Sequence, residues 1–171
     1  MKKMRIIDTH CDTILKCYVD KDRSLFDNDG HISIKKMQKS GSMAEFFAIY
    51  ISREKMKTMS PYDIFEGVYK TYIKQMKLNE KFIKPVFSAR DILVNQDQGI
   101  ISSLLAIEDG VCAEGKIERI EEFYEKGVRC MTLLWNFENE LGFPNSADEK
   151  ENGKGLKLFG IEVISKMNQL G

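Results

Sequence analysis

Histidine is scarce in these 171 residues: there are two, His10 and His31, beside one tryptophan and three prolines. Charge of one sign is not in excess either, since Lys plus Arg and Asp plus Glu both number 26. With no basic stripe interleaved with aromatics, the chain lacks the electrostatic footprint of a nucleic-acid or anionic-membrane binder, and neither partner is expected. Long hydrophobic runs are missing as well. None approaches the about 20 apolar residues that cross a bilayer, and the run behind the lysines of "MKKMRIIDTHCD" is too short for a secretory leader. The four cysteines, Cys11, Cys17, Cys112 and Cys130, form no C-x-x-C pair. They read as reduced thiols serving as small apolar side chains, so the expected compartment is the cytoplasm.

What is present is an alternation of apolar runs and helical patterns, with enough apolar residues for the core of one domain spanning 1–171. "MRII" is a strand that delivers His10 and Asp12 just past its end. "MAEFFAIYI", "GIISSLLAIEDG" and "VRCMTLLW" are three more, and their nearly continuous apolar character suits parallel strands buried on both faces. Between them, "SPYDIFEGVYKTYIKQMKL" has Ser60 as N-cap, Pro61 in the first turn and Asp63 closing a capping box. Its apolar stripe runs through Ile64, Phe65, Val68, Tyr69, Tyr72, Ile73 and Met76. Shorter helices are expected at "SARDILVNQ", at "KIERIEEFYEKG" and at the final "LKLFGIEVISKMNQLG", whose Phe159, Val163, Met167 and Leu170 share a face. Residues 17–42 are extra polypeptide between the first two strands. The class is therefore α/β, with about four parallel βα units: either a small open sheet or half of an eight-stranded barrel. The first strand is followed by no Gly-rich phosphate-binding turn, which disfavours a nucleotide-binding sheet.

In extended chain, residues two apart face the same way, so His10 and Asp12 can enter one cleft while Cys11 turns from it. An imidazole nitrogen and a carboxylate oxygen so placed suit zinc or a similar divalent ion, and equally suit a simple hydrogen-bonded pair. Glu108 ends the apolar run "IISSLLAIE", where a parallel barrel places its active-site residues; there it serves as a helix cap, a solvated acid, or a carboxylate shared by two ions. His31, in the polar stretch "DNDGHIS", is expected to play a structural or surface role.

Five stretches then occur in a recognisable order: "IDTHCDTIL", "AEFFAIYI", "AIEDG", "GVRCMTLLWNFENELG" and "GLKLFGIEVISKMNQLG". Together they resemble the N-terminal half of the zinc dipeptidases of the membrane (renal) dipeptidase family, within the amidohydrolase-like hydrolases. The resemblance implies half of a (β/α)8 barrel of TIM type. It implies His10 and Asp12 as ligands of a first zinc ion, and Glu108 as the catalytic carboxylate bridging two. The implied reaction is hydrolysis of a dipeptide by a hydroxide shared between the metals. In the vertebrate enzymes the stretch matching "MTLLWN" carries a histidine that contacts the substrate carbonyl. Here that position is Trp135, which either walls the substrate pocket or packs at the strand end. The family's later histidines and its proton-handling acid have no counterpart in these residues, so the expectation is at most one ion in this chain and little activity from it alone. Half a barrel leaves strand edges and an apolar face uncovered, which implies self-association as a homo-oligomer. The competing readings are another metal-dependent amidohydrolase, acting on cyclic amides or amino-purines, and a non-catalytic α/β association module.

Overall fold

Strands and helices alternate along the chain in the computed structural model, which describes residues 5–171. They run β1 (Ile6–Cys11), α1 (Thr13–Val19), α2 (Ile34–Ser40), β2 (Ser42–Tyr50), α3 (Pro61–Leu78), β3 (Ile83–Pro85), α4 (Ala89–Asp97), β4 (Ile101–Glu108), α5 (Glu118–Glu125), β5 (Val128–Thr132), α6 (Glu149–Asn152) and α7 (Leu158–Leu170). Short 3-10 turns lie at Lys55–Lys57 and Gly110–Ala113. The sheet follows the order β1-β2-β4-β3, and β5 also pairs with β4. β1 runs parallel to β2, and β3 parallel to β4. Two compact units share the chain: the described part of Met1–Ile49 with Glu66–Ala106, and Tyr50–Phe65 with Ile107–Gly171.

In the first unit, Ala44, Val86 and Leu104 form a buried cluster with Phe46 and Ile92 packed against it. Seven consecutive residues of β4 are buried, as its nearly continuous apolar character requires of a strand covered on both faces. Its two mid-strand serines are tolerated because each is hydrogen-bonded. The Ser103 hydroxyl donates to the Tyr72 hydroxyl at 2.9 Å, and Asn95 Nδ2 donates to Ser102 Oγ at 3.2 Å. Residues 17–42 fold around α1 and α2. Ser33 caps α2 by accepting from the Lys36 N–H, and Gly41 closes it at φ 85°, the left-handed conformation that glycine adopts without steric cost.

In the second unit, Phe65 and Phe123 lie 4.4 Å apart between ring centroids, and the Arg119 guanidinium sits 4.0 Å above the Tyr62 ring. Arg119 also pairs with Glu114 at 2.7 Å, and Glu114 in turn accepts from the Tyr62 N–H at 3.1 Å. Gly160 lies so close to Leu141 that an added Cβ would stand 2.1 Å from its carbonyl oxygen.

Several expectations change in detail. A fifth strand, β3, is only three residues long and ends at Pro85, too short to show any period. The strand expected to reach Trp135 stops at Thr132. On α3, Ile64, Phe65, Val68, Tyr72 and Met76 are buried, but Ile73 is 43% exposed, because the covered stripe is narrower than the run of apolar residues. At Ser88 and Asp91 the full capping box forms. At Ser60 the hydroxyl accepts from the Asp63 N–H at 3.0 Å and donates to its carboxylate at 2.8 Å.

Candidate metal centre

β1 does not end as an even ladder. Asp8 lies opposite Glu45 and Cys11 opposite Phe47, so three steps along β1 match two along β2. The surplus residue is a bulge over Thr9 and His10, a device that bends a strand and re-aims its side chains. The bend is fastened by the His10 N–H, which donates to Asp8 Oδ1 at 3.1 Å. His10 therefore belongs to the strand, not to the loop beyond it. Asp12 has left extended geometry (φ −91°, ψ 10°) and stands just ahead of α1, where its carboxylate makes no capping bond. His10 and Asp12 are nonetheless both exposed with Cys11 buried between them. The common direction expected from strand parity is thus reached by a bulge and a turn. His10 Nε2 and Asp12 Oδ1 are 3.7 Å apart.

Glu108 is the last residue of β4 and is half-buried, and its carbonyl accepts from the Ile51 N–H at 3.3 Å. The chain then turns sharply. Asp109 takes φ 76° and ψ 104°, a conformation rare for any residue with a side chain. It is held there from within the core. The buried Asp109 carboxylate accepts from the Val111 N–H at 3.2 Å and from Asn139 Nδ2 at 2.8 Å. Asn139 also donates to the Leu133 carbonyl at 2.9 Å and accepts from the Leu141 N–H at 2.7 Å. This hub sets the corner at which Glu108 leaves the sheet. Neither residue stands out in the sequence: Asp109 is visible beside Glu108, but its partner lies 30 positions away, beyond any local pattern.

His10, Asp12 and Glu108 each present one ligand atom, and the three atoms lie within 4.8 Å of one another. Two ligands each about 2.1 Å from a shared ion stand at most about 4.2 Å apart. The 3.7 Å separation of His10 and Asp12 meets that condition as it stands. One imidazole and two carboxylates form a donor set suited to zinc and to other divalent first-row ions.

Trp135 packs on aromatic neighbours, with its ring centroid 5.1 Å from that of Tyr50 and 5.8 Å from that of Phe137; it is 37% exposed. Its half-open face is compatible with either role expected of it. His31 lies on the surface and also lines the same cavity, of about 300 Å³, as His10 and Asp12. That placement could not be read from the sequence, because the loop carrying it has no periodicity.

The family model described as membrane dipeptidase (Peptidase family M19) matches residues 1–171. A dipeptidase of Aspergillus oryzae is 26% identical, over 83% of this chain and 35% of its own length. A protein of Schizosaccharomyces pombe described as an uncharacterized dipeptidase is 25% identical, over 99% of this chain and 45% of its own. Among solved structures, a metallo peptidase from Rhodobacter sphaeroides, liganded with a phosphinate mimic of the dipeptide L-Ala-D-Ala, superposes with TM-score 0.85 at 18% identity. That match covers 99% of this chain and 57% of the other. A crystal structure of the M19 dipeptidase AC gives the same TM-score at 17% identity, over 99% and 55%. The fold is accordingly α/β with a five-strand sheet, the N-terminal half of a (β/α)8-type domain. The chain spans less than half the length of these two curated relatives.

Proposed function

The chain belongs to the membrane dipeptidase family, Peptidase family M19, and from that premise we propose that it is the N-terminal part of a zinc-dependent dipeptidase in which His10, Asp12 and Glu108 hold metal. The observation that carries the reading is the convergence of an imidazole and two carboxylates within 4.8 Å, from the ends of β1 and β4. Zinc suits this donor set, and when bound it would polarise the scissile carbonyl and lower the pKa of a water molecule.

The chain's own residues prepare that chemistry. The bulge in β1 and the Asp8 contact orient His10, and the absence of a capping bond leaves the Asp12 carboxylate available. The Asp109–Asn139 hub fixes the chain immediately after Glu108, so this carboxylate would hold metal from a corner that is itself tied down. Trp135, backed by Tyr50 and Phe137, serves as an apolar wall for the substrate.

The test uses a protein carrying this chain at the relatives' full length. Metal-stripped protein should hydrolyse dipeptides only after zinc or a similar ion is restored. Glu108→Gln should lower kcat/KM by about 10²-fold or more, the scale on which removing one stabilising group acts in such sites. Full activity in Glu108→Gln, or activity indifferent to metal removal, would contradict the reading.

A further inference from the structure

We propose that the segment joining α1 to α2, together with α1 itself, builds a subsite for a carboxylate of the substrate, recognised by Arg23, Lys16 and His31. The proposal rests on the dipeptidase reading above and adds to it a preference in substrate chemistry.

The cavity of about 300 Å³ beside β1 receives His10 and Asp12 from the strand's end, and Lys16, Arg23, Asn28 and His31 from α1 and the segment after it. Its volume is at the lower end of small-molecule sites and suits a group the size of one amino-acid residue. Its charge is divided. Asp8 accepts from the His10 N–H and Asp12 faces the His10 ring at 3.7 Å, so both acids are engaged with His10, whereas Lys16 forms no ion pair among the described residues. Arg23 has one partner, Asp29, at 2.5 Å, and that carboxylate is 90% exposed. The Arg23 Nε–H is different: it is buried and has no acceptor among the described residues. A buried donor without an acceptor is uncommon in folded proteins, and an arginine edge is shaped to take a planar carboxylate.

The guanidinium is also held in place. A Cβ at Gly30 would stand 2.8 Å from Arg23 Nη2 and 3.0 Å from Asn28 Oδ1, so the backbone passes close beside the guanidinium and a larger residue there would have to displace it. The Gly30 N–H donates to Asn28 Oδ1 at 2.9 Å, and Lys36 Nζ donates to the Asn28 and Gly30 carbonyls. Farther back, Leu25 is fully buried and its N–H donates to Gln75 Oε1 at 3.2 Å, tying the segment to α3. Recognition groups on a tethered segment lose little conformational freedom on binding. A dipeptide offers a carboxylate from two sources, its C-terminus and an acidic side chain, and this chemistry accepts either.

Because the chain has only two histidines, nitrogen-15 labelling of imidazoles gives an NMR spectrum of two rings, assigned with His31→Gln. The metal-free 171-residue chain is titrated with Gly-Gly, Gly-Gly-amide and Gly-Asp-amide. These carry a terminal carboxylate, none, and a side-chain carboxylate respectively. One or both carboxylate-bearing peptides should shift the His31 signal, the responding one naming the source, while Gly-Gly-amide leaves it unmoved. Arg23→Gln should weaken that binding about tenfold, the typical effect of losing one charge-assisted hydrogen bond. If Arg23→Gln loses its native circular dichroism, Lys16→Gln at the exposed position decides by the same criterion. A His31 signal that ignores every peptide, or answers all three alike, overturns the subsite. Wild-type affinity in the folded variant does the same. Zinc, added separately, reports on the other reading: it should move His10. A subsite that fails while zinc still moves His10 leaves the metal reading intact, and the converse result separates the two in the other direction.

Discussion

Replacing Asn139 by alanine removes the hub behind the candidate centre without touching any proposed ligand. Three hydrogen bonds are lost: one to the Asp109 carboxylate, one to the Leu133 carbonyl and one from the Leu141 N–H. A bond to a charged group is worth about 1.5–3 kcal/mol and each neutral one about 1 kcal/mol, and water entering the small void recovers some of this. Asp109 is 1% exposed and would keep only the 3.2 Å contact from Val111 to hold its left-handed backbone. A loss of about 3–5 kcal/mol follows, or roughly 8–15 °C in Tm for a chain of this size. Asn139→Asp should be worse than alanine, because it sets a second carboxylate against Asp109. The assay is thermal unfolding by circular dichroism with urea titration, using Glu140→Ala at an exposed neighbouring position as the control, expected within about 0.5 kcal/mol of wild type. A loss below about 1 kcal/mol in Asn139→Ala, or an Asn139→Asp variant milder than alanine, would refute the argument.

Three further outcomes are expected. Gly160→Ala drives a methyl into the Leu141 carbonyl and should cost about 2–4 kcal/mol, read as a lowered Tm; a wild-type melt would show that α7 shifts freely. Burial lifts the Glu45 carboxyl from 4.5 to about 7, opposed by the Cys11 thiol and aided by the Asp8 carboxylate. The folded chain thus holds this proton more tightly than the unfolded chain, so the contribution is full below about 4.5 and is lost as pH rises through about 7; Glu45→Gln should melt above wild type at pH 8 and level with it near pH 4.5, whereas parallel pH profiles would contradict this. Cys130 is exposed, while Cys11, Cys17 and Cys112 are buried with burial raising their thiols, so a disulfide reagent should find one fast thiol in the native chain and four after denaturation.

What could be read from the sequence was whatever is encoded locally. The nearly continuous apolar run of β4 announced a strand covered on both faces, and the spacing of Ser60 and Asp63 announced a helix start that the hydrogen bonds realise. His10, Asp12 and Glu108 stood out because polar residues ending apolar runs are conspicuous. What stayed hidden depends on distant partners. Nothing near Asp109 signals that Asn139 will hold it at positive φ. Strand parity gave the correct common direction for His10 and Asp12 through the wrong geometry, because a bulge leaves no mark in composition. His31 looked like a loop residue and is one; that it shares a cavity with His10 depends on how residues 17–42 return toward the strand end.

The central claim is that His10, Asp12 and Glu108 hold a divalent ion, and zinc titration by calorimetry tests it most directly. It is best done in a Cys130→Ser background, which removes the exposed thiol as a competing ligand. The predicted result is one zinc ion per chain, with His10→Ala, Asp12→Ala and Glu108→Ala each weakening binding by at least about tenfold and His31→Gln leaving it unchanged. Binding of wild-type strength in any of the three ligand variants, or no stoichiometric zinc in the parent chain, would contradict the account.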